Sequence, residues 1–369
     1  MLREILEPTK NDQEISDVHL SGGSKPILRY LGELDVFAGY PRALTDEDTE
    51  AIARQIMNDE QWEKFQELGE LDLQYSAPGL PRFRVNVFYQ RGSICLAMRR
   101  ISTEIPTLES MGMPPILAEI ALRPHGLILC TGPTGSGKST TLAAMIDVIN
   151  NEKKIHIVTL EDPIEYLHTD KNSIIHQREV TLDTRNFING LRSALRQDPD
   201  VILIGEMRDL ETINIALQAA ETGHLVLATL HTTDAPKTVD RIIDAFPAEN
   251  QRQVRIQLAA CLEGIIAQTL LPHTDGQSRV AAMEILLGTP ATKNIVREGR
   301  SVQLETVIQT SSQEGMISMD QYLLNLYHRG DITRETALER AKKPDSFKKR
   351  LEENGCRAPL KEDSNAFNL

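Results

Sequence analysis

Residues 127–145, LILCTGPTGSGKSTTLAAM, constrain the fold more than any other stretch of this chain. An apolar run (Leu127, Ile128, Leu129) leads into a loop of Gly, Ser, Thr and Pro, and an apolar helical pattern begins at Leu142. The loop fits the spacing G-x-x-x-x-G-K-[ST] with Gly132, Gly137, Lys138 and Ser139. Glycines there let backbone N–H groups turn around a phosphate with no Cβ in the way. The helix that follows aims its free N–H groups and partial positive charge at the same point. Lys138 adds a full charge for the β- and γ-phosphates, and the Ser139 hydroxyl is placed for Mg²⁺.

This strand–loop–helix unit opens a series. From about Arg123 the buried strands GLILCTG, KIHIVTLED, VILIGE and LVLATLH alternate with helical segments such as TTLAAMIDVIN and ETINIALQAAET. Continuous apolar strands separated by helices imply an α/β fold with a mostly parallel sheet covered on both faces. Ligands then bind at the carboxyl ends of the strands. A chain of 369 residues has room for a second domain. Residues 1–105 read as a small α+β domain, with strands SDVHL, PILRYLGEL, LDLQYS, RFRVNVFYQRG and ICLAMRRI. Its helices fall in TDEDTEAIARQIMNDEQWEKFQELGE, opened by a capping box at Thr45 and Asp48. STEIPTLESMGMPP reads as a linker, placed at 106–123. The nucleotide-binding domain is expected over 124–345, largely helical after Gly264, with a polar tail over 346–369.

Charge and cysteine usage narrow the function class. A net charge of −13 argues against a non-specific nucleic-acid binder. The cysteines (Cys95, Cys130, Cys261, Cys356) form no C-x-x-C pair, so neither a zinc site nor a disulfide framework is expected. The start MLREILEPTK is too polar for a signal peptide, and no apolar run has the length to span a bilayer. A cytoplasmic protein is expected, with any role at the membrane exerted through partners.

A phosphate-binding loop leaves open what is done with the nucleotide, and three further stretches bear on that. VILIGEMRD ends a buried strand in Gly205 and Glu206, an acid placed to order Mg²⁺ and its waters. TLEDPIEY ends another strand with Glu161, Asp162 and Glu165. Three carboxylates beside a polyphosphate make sense if one binds Mg²⁺ waters and one takes a proton from attacking water. Pro163 sets a turn that lets Glu165 be aimed separately. ETGHLVLATLHT places His224 and His231 at opposite ends of a strand, roughly 20 Å apart, too far to share a metal. His231, at the carboxyl end, is placed to hydrogen-bond a γ-phosphate; His224 should do something else.

These stretches, with HQREV, LRSALRQDPDVILIGEMRDLETI, AAETGHLVLATLHTT and DRIIDAFPAE, resemble the secretion-superfamily ATPases, and within them the retraction (twitching-motility) ATPases of type IV pili. The resemblance runs from Ser16 to about residue 345. It implies a PAS-like N-terminal domain, a RecA-like ATPase core and a homohexameric ring hydrolysing ATP with Mg²⁺ to withdraw pilin. It also implies an inner-membrane platform protein at the pilus base as partner, a peripheral location at the cytoplasmic membrane, and no nucleic acid. Residue by residue, Gly132, Pro133, Thr134, Gly135, Ser136, Gly137, Lys138, Ser139 and Thr140 match the Walker A loop. Glu165 matches the general base and Glu206 the Walker B acid, sharing Mg²⁺ with Ser139. His224 and His231 match the His box, His224 among the nucleotide-binding positions. Arg84 and Arg99 match arginines that reach the γ-phosphate, with Arg91 a weaker candidate. The retraction motif A-I-R-N-L-I-R-E departs here to ATKNIVRE at 291–298, retaining Asn294, Arg297 and Glu298.

The same motifs sit in other proteins. Pilus-assembly and type II secretion ATPases carry a further N-terminal domain and a four-cysteine zinc motif, neither of which is seen here. An accessory retraction paralogue would share the full-length resemblance, but the intact GPTGSGKS and GEMRD favour the main motor. A RecA-like nucleic-acid motor is disfavoured by the acidic charge and the lack of an aromatic–basic stacking surface. A non-hydrolysing scaffold would lack the base or the Mg²⁺ acid.

Overall fold

The protein is described by a computed structural model covering residues 1–354 except 13, 14, 31, 103 and 277. It divides into two units, Met1–Glu104 with Glu165–Leu167, and Ile105–Ile164 with His168 onward.

The first unit is built on six antiparallel strands: β1 (Ile15–Leu20), β2 (Ile27–Tyr30), β3 (Glu33–Val36), β4 (Glu70–Tyr75), β5 (Arg82–Gln90) and β6 (Ser93–Ile101), in the order β3-β2-β1-β6-β5-β4. Alternation along β5 sends Phe83, Val85 and Val87 into a core and leaves Arg84 and Asn86 on the other side. Helices Asp46–Ile56 and Asp59–Leu68 contribute Ile52, Ala53 and Phe65 to that core. The capping box at Thr45 and Asp48 is formed, and Asn58 with Gln61 forms a second at the next helix. Gly69 ends that helix at φ +82°, the left-handed value that suits glycine.

The second unit carries seven strands: β7 (Gly126–Thr131), β8 (His156–Glu161), β9 (Ile174–Glu179), β10 (Val201–Ile204), β11 (Leu225–Leu230), β12 (Leu262–Pro272) and β13 (Arg279–Leu287). Their order is β13-β12-β7-β11-β10-β8-β9, parallel from β12 to β9, with β13 antiparallel at one edge. Every residue of β7 and β11 is buried, as helices on both faces require. Because β7, β11, β10 and β8 are parallel neighbours, Thr131, Leu230, Ile204 and Glu161 end on one edge.

Three expectations are corrected. The chain after Gly264 is not largely helical at first, because β12 and β13 form a nine-pair antiparallel hairpin before the helices begin. An apolar run such as GIIAQTLL reads alike as buried strand or buried helix, and pairing with β7 decides. The stretch read as a linker over 106–123 packs into the second unit. Leu108, Met113, Leu117 and Ile120 are core residues and Ile116–Ala121 is helical. The tail expected from residue 346 is helical to Asn354, anchored by buried Phe347 and Leu351; residues 355–369, with Cys356, lie outside the described residues.

Candidate nucleotide site

The loop Gly132–Gly137 joins β7 to helix Lys138–Glu152. Gly132, Gly135 and Gly137 adopt φ of +146°, +76° and +85°, values L side chains rarely take. The glycines differ in what surrounds them. A Cβ on Gly135 would meet nothing within 4 Å, whereas one on Gly132 would lie 2.2 Å from the Gln268 carbonyl oxygen. One on Gly137 would lie 2.8 Å from Gln268 Nε2. The helix that starts at Lys138 has Gly137 as its N-cap, which offers no capping side chain, and its N-terminus follows directly on the loop. Lys138 Nζ donates to the carbonyls of Gly132 (2.9 Å) and Pro133 (3.0 Å), which holds the amine over the loop. Ser136 Oγ is buried with no hydrogen-bond partner among the described residues.

On the neighbouring strand ends, Glu206 accepts from Arg208 (2.6 Å) and His231 Nε2 (2.9 Å). Burial raises the Glu206 pKa, but hydrogen bonds and charge from Arg208 and His231 outweigh it and hold the carboxyl below its ordinary value. The acid is therefore ionised at neutral pH. Gly205 lets β8 pass close, since a Cβ there would sit 3.1 Å from the Leu160 carbonyl and 3.2 Å from Glu161 Cα. Thr229 Oγ1 donates to the Gly205 carbonyl and fixes the turn into Glu206.

The acidic stretch is partitioned. Glu161 accepts from Thr159 Oγ1 (2.6 Å) and Gln177 Nε2 (3.2 Å). Buried Glu179 of β9 accepts the Ile164 N–H at 2.9 Å, and the Asp162–Pro163 peptide is cis. Glu165 belongs to the first unit. The next residues bridge to the end of β6, Tyr166 pairing with Ser102 and the Leu167 N–H donating to the Ser102 carbonyl at 3.1 Å.

Arg84 and Arg99 are directly opposite each other on β5 and β6 of the first unit. The same rung continues to Asp17 on β1 and Arg29 on β2. Arg99 donates to buried Asp17 at 2.8 Å, while Arg84 is 3.9 Å from Asp72. Burial raises the Asp17 pKa, and the Arg99 and Ser16 hydrogen bonds overcome it and leave the carboxyl ionised at neutral pH. Arg91 takes φ +53° in the turn between the two strands, off that rung.

His224, placed among the nucleotide-binding positions by the resemblance, lies away from the strand ends that carry the phosphate loop. It precedes β11, at the opposite end from His231, and its Nδ1 lies 3.0 Å from the Ala219 carbonyl, closing helix Leu210–Glu221. Gln268, Arg208 and the segment 110–113 escaped the sequence reading. The one visible signal was a lone Gln inside the apolar run of β12. A cavity of about 690 Å³ opens beside Gly137 and Thr140, lined also by Met111, Met113, Leu270 and Arg279.

The site fits a nucleoside polyphosphate with Mg²⁺: a helix N-terminus, a buried hydroxyl with no partner among the described residues, an amine and an ionised strand-end carboxylate lie on one edge. Among the described residues no group of three or more His, Cys, Asp or Glu side chains is placed to hold a metal ion. Fold and loop together define a RecA-like P-loop ATPase architecture. The chain belongs to the Type II/IV secretion system protein family, whose pattern matches residues 70–350. It is 49% identical over 335 residues to the type IV pilus retraction ATPase PilT of Pseudomonas aeruginosa, covering 91% of this chain and 96% of that protein. It is 44% identical to the type IV pilus ATPase PilU of the same species, over 88% of this chain and 85% of that one. Its fold matches a crystal structure of the pilus retraction motor PilT with bound ADP at a TM-score of 0.87 and 46% identity, covering 94% and 99% of the two chains.

Proposed function

We propose that this chain is an ATP-hydrolysing motor that powers retraction of type IV pili. The observation that carries the reading is the set of strand ends on one edge of the second sheet. The phosphate loop, Glu206 and His231 occur there together, in a chain alike over nearly its whole length to a pilus retraction ATPase.

In this reading backbone N–H groups of the loop and Lys138 hold the β- and γ-phosphates, and the base enters the cavity beside Thr140. Ser139 and Glu206 hold Mg²⁺, which supplies charge neutralisation on the phosphate oxygens. Glu165 takes the proton from attacking water. His231, already bonded to Glu206, links that acid to the γ-phosphate position. Arg84 and Arg99 clamp charge on the transferring phosphoryl group. They lie on the unit that also carries Glu165. Self-assembly into a homohexamer and docking on a pilus-base platform protein at the inner membrane complete the proposal. No helix among the described residues is long and apolar enough to cross a membrane, so docking would run through that partner.

Three experiments test it. Lys138→Ala should abolish ATP hydrolysis through lost binding, and Glu165→Gln should keep ATP binding and lose turnover by about 10²-fold or more. Wild-type turnover in Glu165→Gln would remove Glu165 from the mechanism. Deleting the gene in its host should leave abundant pili on cells that do not twitch; bald cells would make the motor an extension ATPase instead.

A further inference from the structure

We propose that Gln268 is a positioning residue for the phosphate loop, the side chain that gives the loop its shape before nucleotide arrives. The inference rests on the nucleotide-site reading above and deepens it. Gln268 follows Ala267, the last residue of β12 paired to β7, and so comes level with the point where the loop leaves the sheet. It is 4% exposed and both ends of its amide are used. Nε2 donates to the Ser136 carbonyl at 2.8 Å, and Oε1 accepts from Thr141 Oγ1 at 2.7 Å. One side chain therefore ties the middle of the loop to the first turn of its helix. Thr141 Oγ1 also lies 3.1 Å from the Gly137 carbonyl oxygen and 3.9 Å from Met113 Sδ, so the tie reaches the lining of the base cavity.

The glycines point the same way. Gly132 and Gly137 are closed to a Cβ by the backbone and side chain of Gln268, while Gly135 faces open space. Two of the three loop glycines thus press against β12, and the third borders the open side. A loop moulded on one face by a buried amide presents its N–H groups on the other without ordering them at the moment of binding, which is how preorganisation adds affinity.

The test compares wild type with Gln268→Leu and Thr141→Val by calorimetric titration of ADP, steady-state ATP hydrolysis and melting without nucleotide. Loss of a preformed cradle weakens binding in ground and transition states alike, so KM rises with kcat preserved. Gln268→Leu should raise the ADP Kd and the ATP KM about 10- to 100-fold and change kcat less than threefold. Thr141→Val, which removes one of the two ties, should raise both about 3- to 10-fold, and the double variant should be no worse than Gln268→Leu. If Gln268→Leu does not fold, Thr141→Val carries the same test. An unchanged ADP Kd, or a fall in kcat with KM unchanged, overturns the proposal while the nucleotide site stands. A wild-type protein that takes up no ADP overturns the nucleotide site itself.

Discussion

The two sheets of this protein handle burial in opposite ways. The antiparallel sheet of the first unit has one apolar face, and its other face shows a rung of Arg84, Arg99, Asp17 and Arg29. In the parallel sheet β7 and β11 are buried from end to end, and their polar chemistry appears only where they stop. A strand covered on both faces can present function only at its end, which is why the phosphate loop, Glu206 and His231 are strand-end residues. A strand covered on one face can present it along its length, which is why the arginine candidates alternate with core residues.

That contrast can be broken experimentally. Leu227→Ala at the centre of β11 should cost about 2–5 kcal/mol in urea unfolding, the range for a cavity in a packed core. A loss under 1 kcal/mol would mean that the parallel sheet is less tightly packed than its burial implies. His168 sharpens the picture through pH. Burial pushes its pKa down to about 4, with Nδ1 unpaired among the described residues, so the folded second unit holds it neutral. The unfolded chain takes up a proton near pH 6.5 and the folded one near 4. Stability should therefore fall as pH drops through that window, by about 3 kcal/mol in all. His168→Leu should flatten this part of the pH profile. Arg84→Ala tests the open face. Its nearest carboxylate is 3.9 Å away and both groups are exposed, so stability should change by less than about 0.5 kcal/mol while turnover drops about tenfold or more. Unchanged turnover would return Arg84 to the solvated surface. The smallest effect is chemical. Burial pushes the Cys130 and Cys261 thiols up to about 12, so a thiol-alkylating reagent at pH 8 should leave both unmodified until the protein is unfolded.

Much of this was legible without coordinates because it depends on local pattern. The four parallel strands flanked by helices, the capping box at Thr45, and Glu206 and His231 at strand ends all follow from periodicity and end signals. The failures share one cause. β12 read as helix because an apolar run carries no period that separates buried strand from buried helix. Residues 106–123 read as a linker because their prolines, serines and threonines outweighed Leu108, Met113, Leu117 and Ile120, whose burial depends on what they pack against. His224 matched a nucleotide-binding position by resemblance, whereas its ring meets the Ala219 carbonyl in the last turn of a helix that ends three residues earlier.

The sequence by itself determined that this chain holds a phosphate. A fixed spacing of glycines, lysine and serine between strand and helix brings its own N–H groups and charge to one place, and no distant residue is needed to recognise it. Tertiary structure decided what shapes that loop and what stands around it. Gln268 lies 132 residues from Ser136 along the chain, and Glu206 meets His231 only because β10 and β11 are neighbours. Contacts of that kind come from the order of strands in a sheet, which local pattern does not specify because each strand's apolar run is compatible with several neighbours.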